Sequence, residues 1–182
     1  MKNREILIGV TGGIAAYKTA ALVSKLVQAE ATVSVVMTRA ATKFVGPATF
    51  AALTGKSVAT RTIASREYPL GPHIELAQQA EIYCVAPATA DFVAKLAHGI
   101  ADDLPSTIAL CCTCPIFVAP AMNTAMWEKR AVQRNIQRLK EDGVECIPPQ
   151  EGWLSCRQVG AGRMAEAETL FELIQQQLCT KK

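Results

Sequence analysis

Short apolar runs alternate along this chain with segments whose apolar residues recur at helical spacing. Residues 5–10 (EILIGV) read as a first strand, cut off by Thr11-Gly12-Gly13. A helix follows over 14–29, with Ala16, Ala20, Val23 and Val27 on one face. Residues 31–37 (ATVSVVM) predict a second strand, and 46–54 a short helix after Pro47, closed by Gly55. Residues 60–72 are polar and irregular, with Pro69, Gly71 and Pro72, and predict a mobile or interface loop. A buried strand at 81–86 (EIYCVA) is expected to stop at Pro87. Helices are expected at 90–98, capped by Gly99, and at 105–110. A strand at 115–119, a helix at 124–141 and a strand at 144–147 complete the alternation. Residues 148–164, rich in Pro and Gly, read as a long mobile excursion able to cover a substrate. The last helix, 165–178, presents Leu170, Phe171, Ile174 and Leu178 on its apolar side.

Strands alternating with helices predict an α/β fold with a parallel sheet covered on both faces. Right-handed crossovers make it a doubly wound, three-layer sandwich. No internal repeat or linker divides the chain, so a single domain over 1–182 is expected.

Composition narrows the function classes. Half the residues are hydrophobic, only 5% are aromatic and 19% are charged, a globular composition with apolar surface to spare for contacts between subunits. A net charge of +3, without a Lys/Arg cluster, argues against nucleic acid. The first residues run from Lys2-Asn3-Arg4-Glu5 into a short strand, which predicts no secretory leader. No apolar run approaches the roughly 20 residues of a membrane span. Seven cysteines suit reduced thiols in the cytoplasm better than a disulfide framework. Cys111-Cys112-Thr113-Cys114 contains a C-x-x-C, but no second pair lies at zinc spacing, and no metal is expected.

Candidate chemistry gathers where strands end. Thr11-Gly12-Gly13 turns a strand into a helix and presents backbone N–H groups to an anion; a plain tight turn reads equally well. A nicotinamide fingerprint needs G-x-G-x-x-G and an acid after the second strand. Here the glycines are adjacent and that strand ends Met37-Thr38-Arg39, which disfavours a dinucleotide and leaves a mononucleotide or flavin open. The small residues of Pro87-Ala88-Thr89-Ala90-Asp91 let a ring or phosphate approach, or supply an N-cap at Thr89 or Asp91. Asn123 follows the strand ending near Pro120 and either caps the next helix or grips a substrate carboxylate with its uncharged amide. His98, in a last helical turn, reads as structural. His73 reads as a loop histidine suited to general base work. Cys156 lies between apolar and polar residues, with Gly160 and Gly162 as expected hinges. It is a buried thiol or a proton donor.

Taken together, residues 11–18 (TGGIAAYK), 73–77 (HIELA), 86–91 (APATAD), 120–127 (PAMNTAMW) and 156–164 (CRQVGAGRM) resemble the flavin-dependent cysteine decarboxylases, in the family's order. The resemblance implies a flavodoxin-like fold binding FMN without a covalent bond. It assigns cofactor contacts to Gly12, Gly13, Ile14, Thr38, Ala40, Thr89, Ala90, Asp91, Phe92 and Ala121. It implies a homotrimer, often built up to a dodecamer, with FMN between subunits, and a ligase that makes the substrate as partner. The implied reaction is decarboxylation of 4'-phosphopantothenoylcysteine to 4'-phosphopantetheine in coenzyme A biosynthesis. In it His73 assists proton removal during oxidation of the cysteinyl end, Asn123 orients the carboxylate, and Cys156 returns a proton. Met122 and Arg163 join Asn123 as substrate contacts, while Arg157 and Lys129 are further candidates for the phosphate.

Two segments depart from the family pattern. Arg157-Gln158 follows Cys156 where relatives often carry Gly and an acid, and Ala165-Glu166-Ala167 stands where a proline is usual. The alternatives are a peptidyl-cysteine decarboxylase of the same fold and a non-catalytic regulatory binding protein. Retention of Cys156 disfavours the first, and retention of all three catalytic residues the second.

Overall fold

The computed structural model describes residues 1–63 and 66–180. The expected irregular stretch 60–72 includes Ala64 and Ser65, which lie outside the described residues. Five parallel strands form the sheet: β1 (Glu5–Val10), β2 (Thr32–Met37), β3 (Ile82–Ala88), β4 (Ile116–Pro120) and β5 (Glu145–Cys146). Their order is β2-β1-β3-β4-β5, the doubly wound order that places ligands at the carboxyl ends of the central strands. This is the expected flavodoxin-like sandwich.

Alternation within the strands builds the two cores. Ile6, Ile8 and Val10 of β1, with Val33, Val35 and Met37 of β2, face α1 (Ala16–Gln28), α2 (Pro47–Thr54) and, last in the chain, the helix Ala167–Thr180. Leu7, Val36, Tyr83 and Val85 face the other layer. That layer holds α3 (Pro72–Gln79), α4 (Ala90–Ala97), α5 (Leu104–Cys111) and, beyond a one-turn α6 (Thr124–Trp127), α7 (Arg130–Glu141). The final helix Ala167–Thr180 is α8, and Leu170, Ile174 and Leu178 are buried as its periodicity predicts.

Four expectations need correction. β3 does not stop at Pro87 but runs to Ala88; its ladder with β4 shifts register between Val85 and Ala88, where a residue without an N–H is tolerated. His73 is not in a loop but is the second residue of α3, because Pro72 supplies a ready first position. The single helix at 124–141 is broken: Lys129 is extended, and Gln133 Nε2 donates to the freed Trp127 carbonyl at 2.6 Å. Val132, Ile136 and Leu139 form the stripe that packs α7, and Met126 and Trp127 are out of phase with it on a continuous helix. Finally, the excursion 148–164 contains an antiparallel hairpin, β6 (Gln150–Trp153) and β7 (Val159–Arg163).

Tyr83 marks the tightest point of the second core. It is fully buried, its hydroxyl donates to the Pro105 carbonyl at 2.9 Å, and burial pushes the phenol up, keeping it neutral. The ring lies on Gly9, where a Cβ would stand 2.6 Å from the phenolic oxygen. Gly9→Ala is therefore expected to cost about 1–3 kcal/mol by overpacking, measured as a lower urea midpoint at unchanged slope. An unchanged midpoint would show that the ring has room to move.

Candidate functional site

A cavity of about 600 Å³ opens at the carboxyl edge of β1, β3 and β4. Gly12, Gly13, Ile14 and Ala15 form one wall, Thr89 and Ala90 a second, Ala121, Met122 and Asn123 a third. The hairpin closes the fourth side with Trp153, Leu154, Ser155, Cys156, Gly162 and Arg163.

The first wall is a strand-to-helix turn that leaves backbone donors unspent. Among the described residues no acceptor takes the N–H of Gly12, Ile14 or Ala15. Gly12 is required because a Cβ there would overlap the Ala40 methyl, so the loop after β2 braces the turn from behind. Thr38 serves that loop, accepting the Ala41 N–H at 3.1 Å. Thr38 and Ala40 thus support the cavity without lining it. In the second wall Thr89 caps α4 by accepting the Phe92 N–H at 3.3 Å. Asp91 and Phe92 do not line the cavity: the Asp91 carboxylate pairs with Lys95 at 3.1 Å, and the Phe92 ring lies in the core.

Asn123 takes the first of its two expected roles, the helix cap, and also faces the cavity. Its side chain accepts the Met126 N–H at 2.8 Å, capping α6, and it lines the cavity. A backbone N–H only donates, so the accepting atom is the carbonyl oxygen, and the amide NH2 is left for a cavity ligand.

The hairpin is fastened at its base. The Met122 N–H donates to the Gly162 carbonyl at 3.0 Å. Gly160 and Gly162 are points of close contact: a Cβ on Gly160 would overlap the Thr124 hydroxyl, and one on Gly162 the Met122 carbonyl. At the tip, Leu154 and Gln158 close a turn in which Arg157 adopts φ 63°, a conformation glycine takes without strain. Cys156 is exposed there. Arg163 reaches Glu166 at 3.3 Å and Gln150 at 3.4 Å, and Lys18 reaches the same carboxylate at 2.8 Å. The Lys18 hydrogen bond holds the Glu166 carboxyl below its ordinary value. Two cations share one anion, so this end of the cavity keeps a net positive charge.

The structure therefore brings Asn123, Cys156, Met122, Arg163 and the glycine turn together, but not His73. That imidazole folds back over Gly71, whose φ is 101°, and its Nδ1 is buried without a partner among the described residues. Sequence reasoning missed Tyr17, Lys18, Met126, Trp153 and Met164 of the cavity wall. Tyr17, Lys18, Met126 and Met164 carried a signal, since they lie within the segments that bear the resemblance, whereas Trp153 carried none.

The Flavoprotein family model matches residues 1–179. The chain belongs to the Flavoprotein family. It is 48% identical over 173 residues to the coenzyme A biosynthesis bifunctional protein CoaBC of Bacillus subtilis (strain 168), covering 95% of this chain and 43% of that protein. The corresponding protein of Haemophilus influenzae is 44% identical over 171 residues, 94% of this chain and 43% of its own. The chain thus spans less than half the length of these curated relatives. Among solved structures, a mutant of PPC decarboxylase complexed with pantothenoylaminoethenethiol superposes with a TM-score of 0.84 at 28% identity, covering 96% of this chain and 98% of that one. The FMN-dependent cysteine decarboxylase SpaF gives 0.81 at 32%, covering 96% and 97%.

The cavity fits the flavin of this family. Free N–H groups and a helix start await a phosphate on one wall, and Ile14, Ala121, Met122 and Met126 offer apolar surface to a ring. Among the described residues no group of three His, Cys, Asp or Glu is placed to hold a metal, and no helix is long and apolar enough to cross a membrane.

Gly162→Ala should unseat β7 from Met122. Limited trypsin digestion is then expected to cut after Arg157 at least about tenfold faster, as lost protection of a docked segment predicts. An unchanged rate would mean that the hairpin is held elsewhere.

Proposed function

We propose that the chain is an FMN-dependent decarboxylase converting 4'-phosphopantothenoylcysteine to 4'-phosphopantetheine and CO2 in coenzyme A biosynthesis. The observation that carries this reading is the meeting of Asn123 and Cys156 at the glycine turn of one cavity. Kinship to the coenzyme A proteins and to the PPC decarboxylase supports it.

Two-electron oxidation of the cysteinyl end, and its reversal, is the chemistry a bound FMN supplies. Asn123 holds the substrate carboxylate: its oxygen is committed to the helix cap, so its amide NH2 points the carboxylate without adding a charge that would oppose departure of CO2. The hairpin excludes water, and Leu154 and Trp153 line its inner side. Cys156 at the tip protonates the carbon left after CO2 departs. The net positive end formed by Lys18, Arg163 and Glu166 receives the substrate phosphate.

His73 completes the site from a neighbouring copy in a homotrimer, where it assists the first proton removal. Two exposed apolar groups support such packing: Ile63 and Leu70 before His73, and Ile14 and Tyr17 at the cavity mouth. Fusion to a ligase, as in the bifunctional relatives, would extend the chain's partners to that domain.

Purified protein incubated with FMN and 4'-phosphopantothenoylcysteine should yield 4'-phosphopantetheine by mass spectrometry. Activity confined to cysteine-ended peptides would transfer the chain to the peptidyl branch, and a colourless protein taking up no flavin would remove it from catalysis. Cys156→Ser should still release CO2 but form 4'-phosphopantetheine at least about 10²-fold more slowly, the usual loss of a general acid; wild-type product formation would strike Cys156 from the mechanism. His73→Asn and Cys156→Ser should each be severely slowed in forming product. Co-expressed, they are expected to regain it, since mixed oligomers contain sites with both native groups. No recovery would place His73 and Cys156 in the same copy.

A further inference from the structure

We propose that Thr11 is a positioning residue for the flavin, resting on the reading of the cavity as a flavin site. Thr11 is only 1% exposed and lies behind the wall. Its hydroxyl donates to the Pro87 carbonyl at 2.7 Å and accepts the Thr89 N–H at 3.0 Å, while its own N–H reaches Pro87 O at 3.3 Å. Thr89 passes the connection on by capping α4 through Phe92. One hydroxyl, used as donor and acceptor together, thus joins two turns that are 76 residues apart in the chain.

The bonding pattern sorts the backbone donors. The N–H groups of Thr89 and Phe92 are spent inside the protein. That of Ala90 on one wall, and those of Gly12, Ile14 and Ala15 on the other, have no acceptor among the described residues. Thr11 fixes the spacing between these two sets. A ligand that binds both then gains from walls already in place, because no ordering remains to be done on binding.

Thr19 supplies the control. It is equally buried and donates to the neighbouring Ala86 carbonyl at 2.6 Å, but it touches neither set of free donors. Losing its hydroxyl removes a comparable buried bond but leaves the bonds to Pro87 and Thr89 in place.

FMN is titrated into the apo forms of the wild type, Thr11→Ser, Thr11→Val, Thr11→Ala and Thr19→Val, with quenching of flavin fluorescence as readout. Thermal unfolding of each apoprotein is recorded alongside. Thr11→Val is expected to raise the FMN Kd about tenfold, the equivalent of one positioning hydrogen bond. Thr11→Ala carries the same expectation without adding a second methyl. Thr11→Ser should stay close to wild type, and Thr19→Val should lower Tm while leaving Kd near the wild-type value. Wild-type affinity in Thr11→Val and Thr11→Ala would overturn the assignment. So would an equal loss in Thr19→Val, which would reduce the effect to general loosening. A wild-type protein that takes up no FMN would overturn the flavin reading itself.

Discussion

The bond from the Met122 N–H to the Gly162 carbonyl carries the site. It joins the end of a central strand to the second strand of the hairpin, 40 residues on, and helps to set Cys156 relative to Asn123. Such a short approach between two backbones is possible only because Gly162 lacks a Cβ and adopts φ 135°. A salt bridge on the same hairpin, Arg163 with Glu166, works at the surface and contributes less than this contact.

The parallel sheet explains why the remaining walls converge. β1, β3 and β4 all end at one edge, so the turns after them meet there with unspent N–H groups. Small residues at these turns keep the edge open: Gly12, Gly13, Ala88, Ala90 and Ala121. The larger side chains sit on the mouth, where Ile14, Tyr17, Met126 and Trp153 are all substantially exposed. The result is a polar floor beneath an apolar rim, suited to a ligand that carries a phosphate on a flat ring system.

Ligand and chemistry divide between rigid and attached parts. The flavin cradle is built from strand ends and helix starts, whose positions the two buried cores hold. The hairpin packs on that cradle through few residues and carries the thiol at its exposed tip. Docked segments of this kind open at lower free energy than the sheet beneath them.

Most of the fold was legible in the chain. The continuous apolar runs of β1 and β2, buried on both faces, and the spacing of Leu170, Ile174 and Leu178 follow from where apolar residues stand, a local property. Gly12, Asn123 and Cys156, singled out by residue type and place, line one cavity. Only the tertiary structure showed that Gly160 and Gly162 are points of close contact, since the need for glycine there lies in Thr124 and Met122. It also decided that β3 passes through Pro87 and that a phase change breaks the helix after Trp127. That His73 stands on α3, outside the cavity wall, was not legible, because the chain records order and not which element faces which cavity. Periodicity reports which face of an element is buried; it does not report which surface covers it.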